Sequence, residues 1–211
     1  MALRLGPQGT GAAMSPLCTA NELAVRLRAG EAVLFPTDTL PALAATPGAA
    51  QQLWGLKQRP AHKAVILMAA EAEQLWACLG LPVEPAWRQL ASLHWPGALT
   101  LVLPARGILV EQLNPGGTSL GLRVPACPQA LELLHCSGPL ATTSANRSGE
   151  PACTTADEAS ATFPGVAQLG PLPWPTPSGQ ASTVLAWSDT GSWRLLRAGA
   201  VPPPEGVGER L

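Results

Sequence analysis

The chain has 211 residues, 46% hydrophobic and 13% charged, with a formal net charge of −1. That is enough for one domain with a sizeable core, or one domain plus a tail, and it excludes a disordered chain. A global basic field for nucleic acid is excluded too, and the five cysteines (no C-x-x-C pair) and three scattered histidines give no disulfide framework or zinc spacing.

Met1 to Ser15 is Gly-rich without an apolar signal core. It reads as part of a flexible extension over residues 1–17, with Met14 as a second candidate start. No apolar run reaches the roughly 18 residues that span a bilayer, so no membrane contact is expected and the cytoplasm is the expected location. Thr19-Ala20-Asn21-Glu22 has the form of a capping box, and Leu23 and Leu27 continue it as a helix ending at Gly30. Ala32 to Phe35 is a short buried strand stopped by Pro36. Residues 48–57 predict a helix, 64–68 a strand, and 71–79 and 84–94 two helices whose tryptophans act as core anchors. Residues 99–103 and 119–124 predict strands, and 128–136 a helix with proline in its first turn. Strands at 139–142, 182–186 and 193–197 and a helix near 155–162 complete the domain, 18–200. Residues 171–178 read as a stiff exposed connector, and Pro202-Pro203-Pro204 belongs to a tail, 201–211, that should not pack. Strands alternating with helices indicate an α/β layer fold with a mixed sheet.

The chemistry concentrates at strand ends. After Leu140-Ala141 come seven hydroxyl or amide side chains within fourteen residues, 142–155, and Gly149 and Pro151 break any regular element there. Such a loop suits holding a polar ligand more than attacking one, although a Ser/Thr-rich turn has the same composition. Phe35-Pro36-Thr37-Asp38-Thr39 and Lys57-Gln58-Arg59-Pro60 sit at other element ends. Ser119, Gly121 and Arg123 alternate onto one strand face, and Ser182-Thr183-Val184 and Arg197-Ala198-Gly199 close the domain. Singly, each has a structural reading: turn hydroxyls, helix C-terminal cations, an edge-strand charge. Together, scarce cations among hydroxyls suggest a pocket for an anion with several phosphate or carboxylate oxygens. Walker A, G-x-G-x-x-G and G-x-S-x-G sequences are absent.

These segments, in this order, with Trp95-Pro96-Gly97-Ala98-Leu99-Thr100 and Thr143-Ser144-Ala145-Asn146-Arg147-Ser148-Gly149, resemble the YrdC-type threonylcarbamoyl-AMP synthase family from about Thr19 to Ala200. The resemblance implies an open twisted mixed sheet flanked by helices, with a concave basic cavity. It implies formation of threonylcarbamoyl-AMP and pyrophosphate from L-threonine, bicarbonate and ATP, with Mg2+ bound through the phosphates. A partner transferase would then place the group on tRNA adenosine. Thr39, Arg123, Ser144 and Ser182 fall at threonine-side positions. Lys57, Arg59, Lys63, Ser119, Asn146, Thr154 and Arg197 fall at nucleotide-side positions. No enzyme nucleophile and no protein-held metal are implied. The family usually reads Thr-Val-Tyr-Gly-Leu where this chain has Thr39-Leu40-Pro41-Ala42-Leu43, and Met68 replaces a histidine. Both departures fall on the threonine side. The alternative reading is a paralogue acting as an RNA- or nucleotide-binding module with weak or no synthase activity, touching tRNA or double-stranded RNA weakly.

Overall fold

The computed structural model describes residues 15–58, 63–204 and 207. The chain enters through β1 (Leu17–Cys18) and α1 (Ala20–Arg28). The capping box is formed: Glu22 N donates to Thr19 Oγ1 (3.3 Å), and Thr19 N donates to Glu22 Oε2 (2.8 Å). Then come β2 (Val33–Phe35), β3 (Ala42–Ala45), a 3-10 turn (Pro47–Ala49), α2 (Gln51–Lys57) and β4 (Ile66–Met68). Next are α3 (Ala72–Trp76), α4 (Pro85–His94), β5 (Leu99–Pro104), α5 (Ile108–Leu113), β6 (Ser119–Arg123) and α6 (Pro128–Ser137). The chain closes with β7 (Leu140–Ser144), α7 (Ala156–Thr162), β8 (Ala167–Leu169), β9 (Thr183–Trp187) and β10 (Trp193–Arg197).

Among the described residues these strands form one mixed sheet in the order β1-β8-β2-β3-β7-β4-β6-β5-β9-β10. Side-chain alternation divides its two faces. One face buries Leu34, Leu43, Leu67, Leu101, Leu122, Ala141 and Leu185 in the larger apolar core, where Trp54, Trp76 and Trp87 are anchors. The other face carries a smaller core under α1 and α6, joining Leu23, Leu27, Leu133 and Leu134 to Val33, Phe35, Ala44 and Leu140. That second core stops near β4. Beyond it the register places Thr100, Val102, Ser119, Gly121, Arg123, Val184 and Ala186 on the same face, and none belongs to either core. A sheet covered on only half of one face leaves the other half open, and Thr100, Ser119 and Arg123 lie there.

Four elements have no counterpart among the sequence expectations: β1, β3, α5 and β8. β3 is Ala-Leu-Ala-Ala, which has little intrinsic strand preference, and it forms because β2 and β7 pair with it on both sides. β1 pairs with β8, and Ser15 is buried, so the packed domain begins before residue 18. Residues 1–14 of the expected extension lie outside the described residues. Two described residues of the expected tail, 201–211, depart from that expectation. Thr183 Oγ1 donates to Val201 O, and Val201 and Val207 pack against the larger core. Within the Pro-rich connector Trp174 is buried, its indole donating to Leu169 O (2.7 Å), so this segment is tied down at its centre. The five cysteines are free thiols. Among the described residues no helix is long and apolar enough to cross a membrane.

Candidate functional site

A cavity of about 210 Å³ opens on the uncovered face. Thr37, Thr39 and Pro41 line it from the β2–β3 loop, Ile66 and Met68 from β4, Arg123 from β6, and Thr142 and Ser144 from β7. Ser182 and Arg197 close it from the β9–β10 side. All four residues expected on the threonine side, Thr39, Arg123, Ser144 and Ser182, therefore meet in one cavity, with Arg197 from the nucleotide side. Pro41 and Met68, where the chain departs from the family pattern, are in its wall.

Arg123 is 3% exposed in its side chain and is held at every guanidinium nitrogen. Nε donates to Gly97 O (2.9 Å), Nη1 to Thr39 Oγ1 (2.8 Å) and Nη2 to Asp38 Oδ1 (2.6 Å). Burial pushes the guanidinium below its ordinary pKa, and the charge of Asp38 pushes back. Thr37 Oγ1 donates to Leu40 O (2.6 Å) and accepts from Thr39 N and Leu40 N, both at 3.2 Å, so it shapes the loop. The Thr37 and Thr39 hydroxyls meet at 3.0 Å, and Thr39 Oγ1 accepts from Arg123 Nη1, so the loop and the arginine fix each other. Trp95-Pro96-Gly97 acquires a purpose here: Gly97 N donates to Val124 O (2.9 Å), docking the segment so that Gly97 O reaches Arg123.

Arg197 is held differently. Nε and Nη2 donate to Ser182 O at 3.1 and 2.9 Å, and Nη2 reaches Ser182 Oγ at 3.3 Å. Ser182 Oγ also meets Thr100 Oγ1 at 2.8 Å. Among the described residues Arg197 makes no ion pair, its residue is exposed, and the surrounding protein atoms lower its pKa by desolvation. A Cβ on Gly199 would collide with the backbone of Ala181 and Ser182, which explains the glycine two residues after this arginine.

Lys57 ends α2 and is 3% exposed. Its ammonium donates to Ser144 O (2.6 Å), Asn146 O (2.6 Å) and Asn146 Oδ1 (2.9 Å). Ser144 Oγ donates to Asn146 Oδ1 (2.7 Å), and Asn146 Nδ2 donates to Arg147 O (2.9 Å) and Glu150 O (2.7 Å). Ser148 N donates to Lys57 O (2.9 Å). The β7–α7 loop is thus locked onto the end of α2, and Lys57 and Asn146 shape it; neither lines the cavity.

The remaining described nucleotide-side residues lie apart from the cavity. Ser119 sits at the far end of β6 from Arg123, in a groove of about 690 Å³ with Pro104, Arg106, Trp187 and Arg194. Thr154 lines a groove of about 600 Å³ with Trp174 and Pro177, and Thr154 Oγ1 donates to Glu158 Oε2 (3.1 Å). Lys63 is exposed, and its carbonyl accepts from Trp54 Nε1 (2.8 Å). Arg59 lies outside the described residues. Sequence reasoning missed Asp38 as a site residue, although the signal was present: a carboxylate between two flagged threonines in a chain poor in charge. Among the described residues no group of three His, Cys, Asp or Glu side chains could hold a metal ion.

The family described as telomere recombination (Sua5, YciO and YrdC) matches residues 25–199. A protein of Pyrococcus abyssi named threonylcarbamoyl-AMP synthase is 35% identical over 185 residues, covering 85% of this chain and 53% of its own length. The Bacillus subtilis protein of that name is 35% identical over 189 residues with the same coverages. The Stenotrophomonas maltophilia one is 36% identical over 145 residues, 66% of this chain and 78% of its own. The chain therefore spans about half the length of the first two relatives. The solved P. abyssi Sua5 complexed with L-threonine superimposes with a TM-score of 0.79 at 30% identity, over 90% of this chain and 58% of that one. Escherichia coli YciO superimposes with a TM-score of 0.74 at 20% identity, over 88% of this chain and 96% of that one, a likeness of fold.

Proposed function

The chain belongs to the Sua5, YciO and YrdC family, and from that premise we propose that it is an L-threonylcarbamoyladenylate synthase, a nucleotidyltransferase that joins L-threonine, bicarbonate and ATP. The observation that carries this reading is the cavity itself. It gathers Thr39, Arg123, Ser144, Ser182 and Arg197, two cations among hydroxyls with no carboxylate in its lining, and it faces the open half of the sheet. Such a lining receives anions and orients them; it has no nucleophile paired with a base.

The threonine amine takes up the bicarbonate carbon, with loss of water, to give a carbamate. A carbamate oxygen forms the new bond to the α-phosphorus, and the bond to pyrophosphate breaks. Arg123 receives the threonine carboxylate, Thr39 presents its oxygen to the amine side, and Ser144 and Ser182 orient the remaining polar groups. Arg197 receives phosphate oxygens. Arg59, Lys63, Ser119 and Thr154 are the further residues assigned to the nucleotide, while Lys57 and Asn146 set the shape of the β7–α7 loop. Magnesium enters as part of the ATP substrate, screening its phosphates. The threonylcarbamoyl group passes to a transferase acting on tRNA. An RNA- or nucleotide-binding module without synthase activity is not favoured, because the residues meeting in the cavity are those a small anionic substrate needs.

The test is incubation of the purified chain with labelled threonine, bicarbonate and ATP. Threonine-dependent pyrophosphate release and a labelled adenylate are expected. No labelled adenylate, with ATP still bound, would replace the synthase reading by a binding role.

A further inference from the structure

Asp38 lies outside the cavity lining, yet it holds the cavity's most buried cation. Its Oδ1 receives Arg123 Nη2 at 2.6 Å and the backbone N–H of Ala126 at 3.1 Å. One carboxylate oxygen thereby bridges the β2–β3 loop to the turn between β6 and α6. Arg123 has five N–H groups, and Asp38, Thr39 and Gly97 take one from each nitrogen. One N–H remains on Nη1 and one on Nη2. Those two are what Arg123 can offer a ligand from the cavity wall, and two N–H groups on adjacent nitrogens match the spacing of a carboxylate.

We propose that Asp38 is a positioning residue, which fixes the guanidinium of Arg123 in the rotation that presents its two remaining N–H groups to the substrate carboxylate. This rests on the synthase reading above. Thr39 and Gly97 hold two of the three nitrogens of a rigid plane, which leaves its tilt about the line between them open; Asp38 holds Nη2, off that line, and Nη2 supplies half of the two-pronged grip. Asp38 does not touch the substrate. It acts through Arg123, so its effect belongs to amino-acid capture; Arg197, although it lines the same cavity, is held by Ser182 and has no hydrogen bond to Asp38 or Arg123.

The experiment compares Asp38→Asn, Asp38→Glu and Asp38→Ala in the full chain. Asparagine keeps an acceptor oxygen at the same reach without the charge; glutamate keeps the charge and displaces the oxygen by a methylene. Position, not charge, is at stake, so Asp38→Asn should keep the threonine KM within about threefold, whereas Asp38→Glu and Asp38→Ala raise it about tenfold or more, with ATP KM and kcat at saturating threonine little changed. The Arg123 Nη protons, assigned by their loss in Arg123→Lys, should stay resolved in the wild type and Asp38→Asn and broaden in Asp38→Glu. Normal threonine KM in Asp38→Glu with damage in Asp38→Asn overturns the proposal, as does an equal rise in ATP KM. Should Asp38→Ala fail to fold, the other two variants decide. If the wild type makes no adenylate from threonine, the synthase reading fails by itself, and the Nη spectra still decide whether Asp38 fixes Arg123.

Discussion

The two arginines of the cavity are held in opposite ways. Arg123 is buried, ion-paired to Asp38 and bonded at all three nitrogens, whereas Arg197 is exposed, leans on one serine and, among the described residues, has no counter-charge. Difference in burial changes what each can do. A buried pair is costly to break, because a partner left alone in the protein interior is a desolvated charge. An exposed arginine without a carboxylate contributes little to the fold, and its whole charge is left for an incoming anion. Arg123 should therefore serve both structure and recognition, and Arg197 recognition alone.

Arg123→Ala breaks this comparison hardest. It strands Asp38 and removes bonds to Gly97 O and Thr39, so a loss of about 3–5 kcal/mol in unfolding free energy is expected, together with loss of threonine-dependent turnover. Urea unfolding measures the first and pyrophosphate release the second. Arg123→Lys should keep more stability than activity, since an ammonium lacks the planar fork. Unchanged stability in Arg123→Ala would mean that the pair with Asp38 contributes nothing.

Lys57→Met comes next. It removes a buried cation from three part-buried oxygens, and a loss of about 2–4 kcal/mol is expected from the stranded acceptors. The loop carrying Asn146 should loosen with it, so hydrogen exchange at Ala145 and Ser148 should speed up and ATP affinity should fall. If affinity falls while exchange and stability stay as they were, Lys57 contacts the nucleotide directly and its bonds to the loop are incidental.

Arg197→Gln sharpens the other side. Exposure limits the stability change to about 0.5 kcal/mol, while ATP KM should rise roughly tenfold with threonine KM nearly unchanged. A thermal scan and steady-state kinetics on one preparation check both. Destabilisation comparable to that of Arg123→Ala would erase the distinction between the two corners.

Much of this was legible along the chain where a local rule operates. The alternation of Ser119, Gly121 and Arg123 put them on one face, and the capping box started α1 where expected. β3 was not legible, because four residues rich in alanine show no strand preference until neighbours pair with them. Nor was the pairing of charges. Arg123 meets Asp38 across 85 positions, and Lys57 meets Asn146 across 89, separations that only sheet order resolves. The threonine set converged because strand ends were its signal. The nucleotide set spread because Ser119 and Thr154 share chemistry with the rest but occupy separate grooves.

The smallest expected effect concerns the cavity wall next to Arg123. Met68 stands in register with Arg123 and is 5% exposed, and Pro41 carries the carbonyl that accepts from Ala145 N (2.8 Å). Both face the cavity with apolar surface. Proline has no N–H to give a ligand, and a thioether is a weak acceptor where an imidazole would donate or accept. A missing stacking wall and a missing hydrogen bond are each worth on the order of 1 kcal/mol, so threonine KM should stand roughly tenfold or more above that of relatives with the usual residues. The double replacement Pro41→Tyr with Ala42→Gly removes the Ala42 Cβ from the same wall, making room for the ring, and Met68→His restores the imidazole. Threonine KM should then fall several-fold, against a modest loss of stability from glycine within β3 and a polar ring beside the smaller core. Steady-state kinetics with threonine and with valine and serine as competitors checks this. A higher threonine KM in the restored chain, or a native preference for another amino acid, means that Pro41 and Met68 were selected for a different side chain and that the wall is rebuilt, not eroded.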